Sequence, residues 1–383
     1  MDIIFISFDG MTDPLGQSQV IPYLIGLSEA GYKIGIISCE KPHNYILNQA
    51  NIKQILSEKG INWYPIPYST GVPVFSQYYN FARLKSKAEE LAVKHQVKLI
   101  HCRSYLSALI GLQLQKKFGI KWIFDMRGFW ADERIDGNIW RKSNFIHHRL
   151  YVFFKNKELE FLNNASHIIS LTQQAKEEIL TWKNIIITED KFTIIPCSTD
   201  LSLFSNPSGQ VKNTNFTLSY LGSIGTWYML REMLDFFKIL LKKIPEAEFL
   251  FVTKDDPNLI YSEALKTEIP SSKIKVKAAG RNEVPGLISQ SHLSIFFIKP
   301  AYSKKASSPT KLGELLSLGI PIITNKGIGD VDKVLREENV GILINSFTNN
   351  DYQDAVNEIE NALIVPPERL RAVAKRHFSL YNA

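Results

Sequence analysis

Two successive runs of short apolar segments alternating with helical patterns, separated by a polar stretch, constrain this chain more than any other feature. In the first run "IIFISF", "KIGIISC", "INWYPIPY", "VKLIHCR", "KWIFDMRG", "ASHIISLT" and "FTIIPCSTD" read as strands. Between them lie "SQVIPYLIGLSEAGY", ended by Gly31, "YYNFARLKSKAEELAVKHQ", and "LSALIGLQLQKKFG", closed by Gly119. Strands spaced by helices of this length predict a parallel sheet covered on both faces. Gly, Asn and Ser then cluster from Ser205 to Asn215, which reads as a linker. The pattern restarts with "TLSYLGSIG", the helix "MLREMLDFFKILLKKIP", and the strands "AEFLFVT", "IKVKAAG", "LSIFFIKP", "IPIITN" and "VGILIN". The expectation is an α/β chain of two doubly wound domains hinged near residue 210. A length of 383 residues agrees, being too great for one typical core.

A net charge of +7 fits an anionic ligand or membrane surface and is too small to imply nucleic acid. Cys39, Cys102 and Cys197 are far apart, show no metal-ligand spacing and read as buried thiols, which points to the cytosol. The chain starts directly on a strand, with no signal peptide expected, and no apolar run reaches the ~18 residues of a spanning helix.

Open parallel sheets present ligands at the carboxyl ends of their strands, so chemistry is sought there. After the first strand comes "FDGMTDPLGQSQV", a loop that opens a helix and can present backbone N–H groups to an anion. It has Gly10 and Gly16 but not the three-glycine dinucleotide fingerprint, although Glu40 closes the second strand where a ribose-binding acid would sit. Gly16 also fits a plain tight turn. "IHCRSY" puts His101 and Arg103 at a strand end on one side of the sheet. His101 suits proton work or donation to a hydroxyl, and Arg103 suits a carboxylate or phosphate; a satisfied polar histidine is the bland alternative.

"FDMRGFWADERIDGNIW" is denser, with Asp125, Arg127, Asp132, Glu133, Arg134 and Asp136 among Phe129, Trp130 and Trp140. Carboxylates that accept from hydroxyls and rings that cover a sugar face suit carbohydrate. An internal salt-bridge network explains the same residues equally well.

In the second run, Gly222 and Gly225 bracket Ser223, so backbone there can approach a ligand closely. "SSPTKLGELLSLGIPIITN" predicts a helix that begins near Pro309 or Thr310 with Ser308 as N-cap. Lys311 then falls in the first turn, where the helix dipole disfavours a cation. A bound diphosphate would resolve that conflict. Glu314, about one turn on, could accept from both hydroxyls of a ribose; an ordinary Lys–Glu pair on a capped helix is the other reading.

Together these segments resemble the retaining GT-B glycosyltransferases of the large bacterial group, family 4-like, that builds polysaccharides and glycoconjugates. "IPCSTDLSLF" is similar to the family's segment before the interdomain linker. "SSPTKLGELLSLGIPIITNKGIGD" is similar to a variant of its donor-binding segment, and "DPLGQSQVIPYL" and "DMRGFWADERIDG" resemble segments of a subgroup. The resemblance covers nearly the whole chain. It implies two Rossmann-like domains facing a central cleft: an acceptor-binding domain over 1–205, a nucleotide-sugar domain over 206–365, and a C-terminal helix, 366–383, crossing back to the first domain.

It also implies a UDP- or GDP-sugar as co-substrate, retention of anomeric configuration, and neither cofactor nor bound metal. The donor set would be Gly16, Gln17, Gly222, Ser223, Gly225, Thr226, Arg281, Ser307, Ser308, Thr310, Lys311 and Glu314. Lys311 would neutralise the leaving diphosphate, with His101, Arg103, Asp125 and Arg127 completing the catalytic set. Trp130, Asp132 and Glu133 would meet the acceptor, a glycan or polyprenyl-linked sugar.

Two departures stand out. A glutamate that often contacts the donor sugar, eight residues before Glu314, is here Ala306. The loop "GSIGTWYMLRE" lacks the arginine and lysine common after the second domain's first strand, which leaves the diphosphate to backbone amides, Ser223, Thr226, Lys311 and Arg281. A UDP-sugar epimerase of the same fold and a catalytically silent sugar-nucleotide-binding scaffold are the alternative functions.

Finally, Trp140 to Phe161 interleaves Arg141, Lys142, Arg149, Lys155 and Lys157 with aromatic and aliphatic residues. Such a helix suits a peripheral contact with the inner face of a membrane by a cytoplasmic protein; a core helix with a solvated basic face is the alternative.

Overall fold

The computed structural model describes residues 1–71, 73–205 and 211–383; the expected hinge near residue 210 lies outside them. Two compact units form, Met1–Pro196 with Ala383, and Cys197–Asn382, so the division comes ahead of the expected boundary at 205/206.

The first unit runs β1 (Ile3–Ser7), α1 (Pro14–Gln19), α2 (Ile21–Glu29), β2 (Ile34–Glu40), α3 (Pro42–Glu58), β3 (Asn62–Pro67), α4 (Pro73–His95), β4 (Leu99–Arg103), α5 (Ser104–Phe118), β5 (Lys121–Asp125), α6 (Trp130–Asp136), α7 (Phe145–Asn164), β6 (His167–Ser170), α8 (Gln173–Leu180) and β7 (Phe192–Ile194). Its seven strands pair in parallel in the order β3-β2-β1-β4-β5-β6-β7. β1 and β2 are buried along their whole length, as strands covered on both faces must be. Strand order reverses between β1 and β4, which opens a crevice at their carboxyl ends.

The second unit runs β8 (Thr217–Leu221), α9 (Leu230–Lys243), β9 (Glu248–Val252), α10 (Pro257–Lys266), β10 (Ile274–Lys277), α11 (Val284–Ile288), β11 (Leu293–Phe296), α12 (Thr310–Ser317), β12 (Ile322–Asn325), α13 (Val331–Glu338), β13 (Gly341–Ile344), α14 (Asn349–Leu363) and α15 (Pro367–Phe378). The parallel order β10-β9-β8-β11-β12-β13 reverses between β8 and β11. The loops after those two strands therefore frame the second crevice. The core is continuous from β8 through α9, β9 and β11 to α12.

The C-terminal helix α15 packs on α12. Gly313 permits this: a Cβ there would stand 2.8 Å from that of Phe378 and 2.5 Å from the Thr199 hydroxyl.

Two local expectations change. The helical stretch before Gly31 is two helices, broken at Val20 (φ −132°, ψ −62°). Pro22 lacks the N–H that would continue the first ladder. Helix α3 was not anticipated, because it buries only Ile52 and Leu56 and carries little apolar periodicity. Gly119 closes α5 as expected, in the left-handed conformation (φ 69°) with its N–H on the Gln115 carbonyl at 2.8 Å.

Candidate functional site

The crevice of the first unit is built on three strand ends in register, Ser7, Arg103 and Asp125. Arg103 and Asp125 are both buried. Around the Asp125 carboxylate lie His101 Nε2 at 3.5 Å, an Arg103 guanidinium nitrogen at 3.6 Å and an Arg127 guanidinium nitrogen at 3.8 Å. Burial alone would raise the Asp125 pKa, but Arg127, His101 and Arg103 outweigh it and hold it below the usual carboxylate range. Asp125 Oδ1 is buried and accepts no hydrogen bond among the described residues. Arg103 also reaches Asp9, at 3.5 Å. Arg127 sits in the left-handed region (φ 59°), a strained conformation that persists where surrounding structure fixes it.

The loop after β1 is fixed from below. Buried Glu40 accepts from the Met11 N–H at 2.8 Å, the Thr12 N–H at 3.1 Å, and the Thr12 and Ser38 hydroxyls. The acid that sits where a ribose ligand would be expected is thus a clamp for this loop. Gly16 is buried, and a Cβ there would stand 2.1 Å from the Gly10 carbonyl oxygen, so close helix packing requires the glycine. The Gln17 amide donates to the Thr12 carbonyl at 2.9 Å.

The acid-rich aromatic segment folds into an internal network. Asp132 is buried and accepts from Tyr151 Oη and Lys155 Nζ, each at 2.8 Å. Lys155 and Tyr105 both bind Glu158, which is wholly buried and pushed up to about 6 by burial. Trp130 stacks on Tyr105 with ring centroids 5.6 Å apart, and the Arg134 guanidinium lies 3.9 Å from the Trp130 ring centroid. Glu133 is half-buried on the same helix. Spacing alone cannot show that both partners for Asp132 arrive from α7.

In the second unit the loop 222–226 follows β8. Gly222 takes φ 107°, and a Cβ there would point at Lys311 Nζ, 3.4 Å away. Lys311 itself, in the first turn of α12, is 5% exposed. Its Nζ donates to Tyr220 Oη at 3.2 Å and lies 3.4 Å from the Tyr228 ring centroid. It makes no ion pair among the described residues. Burial holds its pKa well below the ordinary value, against the opposing charge of Glu314. Glu314 is pushed up by burial, with Arg281 and Lys311 opposing; Arg281 approaches its carboxylate at 3.4 Å. The Arg281 guanidinium also lies over Phe204, 5.3 Å from its centroid.

Ser308 is not the N-cap. Pro309 holds that position, without a side-chain cap, and Ser308 Oγ instead accepts from the Cys197 N–H at 3.1 Å. The hydroxyl is turned toward the start of the unit, which leaves the helix N-terminus uncapped. Ser307 and Thr310 are half-buried beside it, and Thr226 and Gly225 are exposed at the loop tip.

Sequence reasoning missed Asp255, just after β9. Its carboxylate accepts from Ser223 Oγ at 3.0 Å and from the Ile224 N–H at 2.5 Å. Tyr220 Oη donates to the Ser223 carbonyl at 2.5 Å, so the loop is tied to Asp255 on one side and to Lys311, through Tyr220, on the other. The only signal in the sequence was its place after a strand.

Among the described residues no group of three His, Cys, Asp or Glu is placed to hold a metal ion, and no helix is long and apolar enough to cross a membrane.

Residues 21–203, most of the first unit, match the family model described as Glycosyltransferase Family 4. No curated protein matches the sequence. Among solved structures, sucrose-phosphate synthase from Thermosynechococcus elongatus is similar at a TM-score of 0.75 and 14% identity, over 100% of this chain and 96% of that one. An Anabaena protein, HepE, solved with UDP and glucose, is similar at 0.70 and 13%, over 100% and 96%. WaaG, a glycosyltransferase involved in lipopolysaccharide biosynthesis, is similar at 0.69 and 14%, over 99% and 97%. The two parallel sheets and these likenesses give the chain the GT-B fold, and residues 21–203 are similar to Glycosyltransferase Family 4.

Proposed function

We propose that this protein transfers a sugar, with retention, from a UDP- or GDP-sugar to a hydroxyl of a glycan or polyprenyl-linked sugar, in the cytoplasm. One observation carries the reading: Lys311 is a buried lysine that makes no ion pair among the described residues, beneath a glycine loop at the crevice of the second sheet. Leaving a cation there is costly unless an anion joins it. A diphosphate is that anion. HepE was solved with UDP and glucose, which supports a nucleotide-sugar donor here.

In this reading negative charge grows on the leaving diphosphate, and Lys311 with the amides of loop 222–226 stabilises it by fixed charge and dipoles. That requires no resident cofactor. Glu314 holds the ribose hydroxyls, and Arg281, already beside it, neutralises it before the donor arrives. In the first unit His101, Arg103, Asp125 and Arg127 position the sugar or acceptor, with the buried Asp125 carboxylate fixed by the other three. The leaving phosphate takes the acceptor proton on the face it departs from, so no enzyme nucleophile is needed.

The test is incubation of the purified chain with a panel of nucleotide sugars and candidate acceptors, with release of nucleoside diphosphate and product anomeric configuration as readouts. Transfer with retention supports the reading. Interconversion of the sugar without any acceptor would establish an epimerase, and binding without turnover a silent scaffold.

A further inference from the structure

Helix α7 buries one face and leaves an apolar one exposed. Phe154, Glu158, Phe161 and Leu162 face the unit's core. Phe145, Ile146 and Phe153 are 69%, 63% and 45% exposed, on an arc well away from that face, and Leu150 and Val152 join them. A soluble helix normally reverses this, with polar residues outward. The charges along this helix up to Lys157, and in the segment before it, are all of one sign. No Asp or Glu occurs from residue 137 to 157, and Arg141, Lys142 and Arg149 are exposed there. The Arg149 guanidinium lies 4.8 Å from the Phe145 ring centroid, its stem along the apolar surface.

Two lysines expected to share this role do not. Lys155 is held by Asp132 and Glu158, and Lys157 by Glu160 at 2.6 Å.

We propose that the outer face of α7, with Arg141 and Lys142 before it, docks on an anionic lipid bilayer: Phe145, Ile146 and Phe153 enter the interface and the three cations meet headgroup phosphates. Exposed apolar side chains beside Arg141, Lys142 and Arg149, on a stretch with no Asp or Glu from 137 to 157, fit that occupant, whereas an apolar protein partner leaves the one-signed charge of the stretch unexplained.

Position adds a second argument. α7 follows β5 and leads to β6, so its N-terminal turns lie at the carboxyl edge of the sheet, the edge that holds Arg103 and Asp125. Ile46 and Leu47 on α3, and Phe75 and Tyr78 on α4, are exposed in the N-terminal turns of helices that start at that edge. A lipid surface there would bring a membrane-borne acceptor to the first crevice. This last step rests on the transferase reading; vesicle binding does not, so the two fail separately.

The full chain is to be sedimented, without donor or acceptor, with vesicles of phosphatidylglycerol and phosphatidylcholine in equal parts, and with phosphatidylcholine alone. Wild type is expected to bind the anionic vesicles at low salt and the neutral ones far less. The triple variant Arg141→Glu, Lys142→Glu, Arg149→Glu should bind them at least roughly 100-fold more weakly, from the contribution of each charge near an anionic surface. A second triple variant, Phe145→Asn, Ile146→Asn, Phe153→Asn, should lose the binding that survives high salt. All six side chains are exposed, so both variants should keep the wild-type thermal midpoint. No wild-type binding, or unchanged binding in either variant, overturns the proposal. So does a concentration-dependent dimer that the apolar variant abolishes, which would assign the face to a second copy of the chain.

Discussion

Gly222 stands directly over Lys311: a single added carbon at the glycine would lie 3.4 Å from the ammonium. The absence of that carbon leaves the charge open toward the loop. Gly222→Ala adds the missing Cβ and forces alanine to φ 107°. It is expected to cost about 1–3 kcal/mol of stability from backbone strain and to weaken UDP binding about tenfold. Isothermal titration alongside thermal unfolding measures both.

Asp255→Ala removes the acceptor for Ser223 Oγ and the Ile224 N–H. The loop should lose its fixed shape, and UDP affinity should fall by roughly 1–2 kcal/mol, about the worth of hydrogen bonds to a charged group. Asp255→Asn keeps one accepting oxygen and should lose less. Equal UDP affinity in wild type and the alanine variant would show that the loop needs no such anchor.

Glu314→Gln should narrow the preference for UDP over its 2′-deoxy analogue, since the proposed partner is the ribose diol. Competition titrations with the two nucleotides read this directly. An unchanged preference would remove Glu314 from the ribose site.

The pH dependence has a definite sign. Lys311 has a lowered pKa in the folded, unliganded chain, so between that value and the ordinary ~10.4 the unfolded chain holds a proton that the folded chain lacks. Stability contributed by this group therefore rises with pH across that window and is least below it. A bound diphosphate favours the charged form. UDP binding should then take up a proton in that window and weaken as pH rises. Titrations in two buffers of different ionisation enthalpy measure the uptake; its absence throughout the alkaline range would contradict a diphosphate on Lys311.

The fold was legible because its strands are buried runs bounded by glycines and polar turns, as in β1, β2 and β8. The place of Lys311 in a first helical turn, where a cation conflicts with the dipole, was legible. What escaped depends on partners distant in sequence. Asp132 reads as a cleft acid until Lys155 and Tyr151 are seen to take its oxygens. Ser308 reads as a cap until Cys197 is found against it. Asp255 gave no local signal, since its role exists only beside loop 222–226. Helix α3 was hidden by weak apolar periodicity.

In the proposed transfer Lys311 is kept buried and charged for a diphosphate at the cost of stability. Lys311→Met keeps length and removes the charge. Thermal unfolding and UDP titration on this one variant give the most direct test. The variant is expected to be more stable, by about 1–4 kcal/mol as for other buried charges replaced by apolar groups, and to bind UDP at least tenfold more weakly. A variant that is no more stable and binds UDP as wild type does would contradict it.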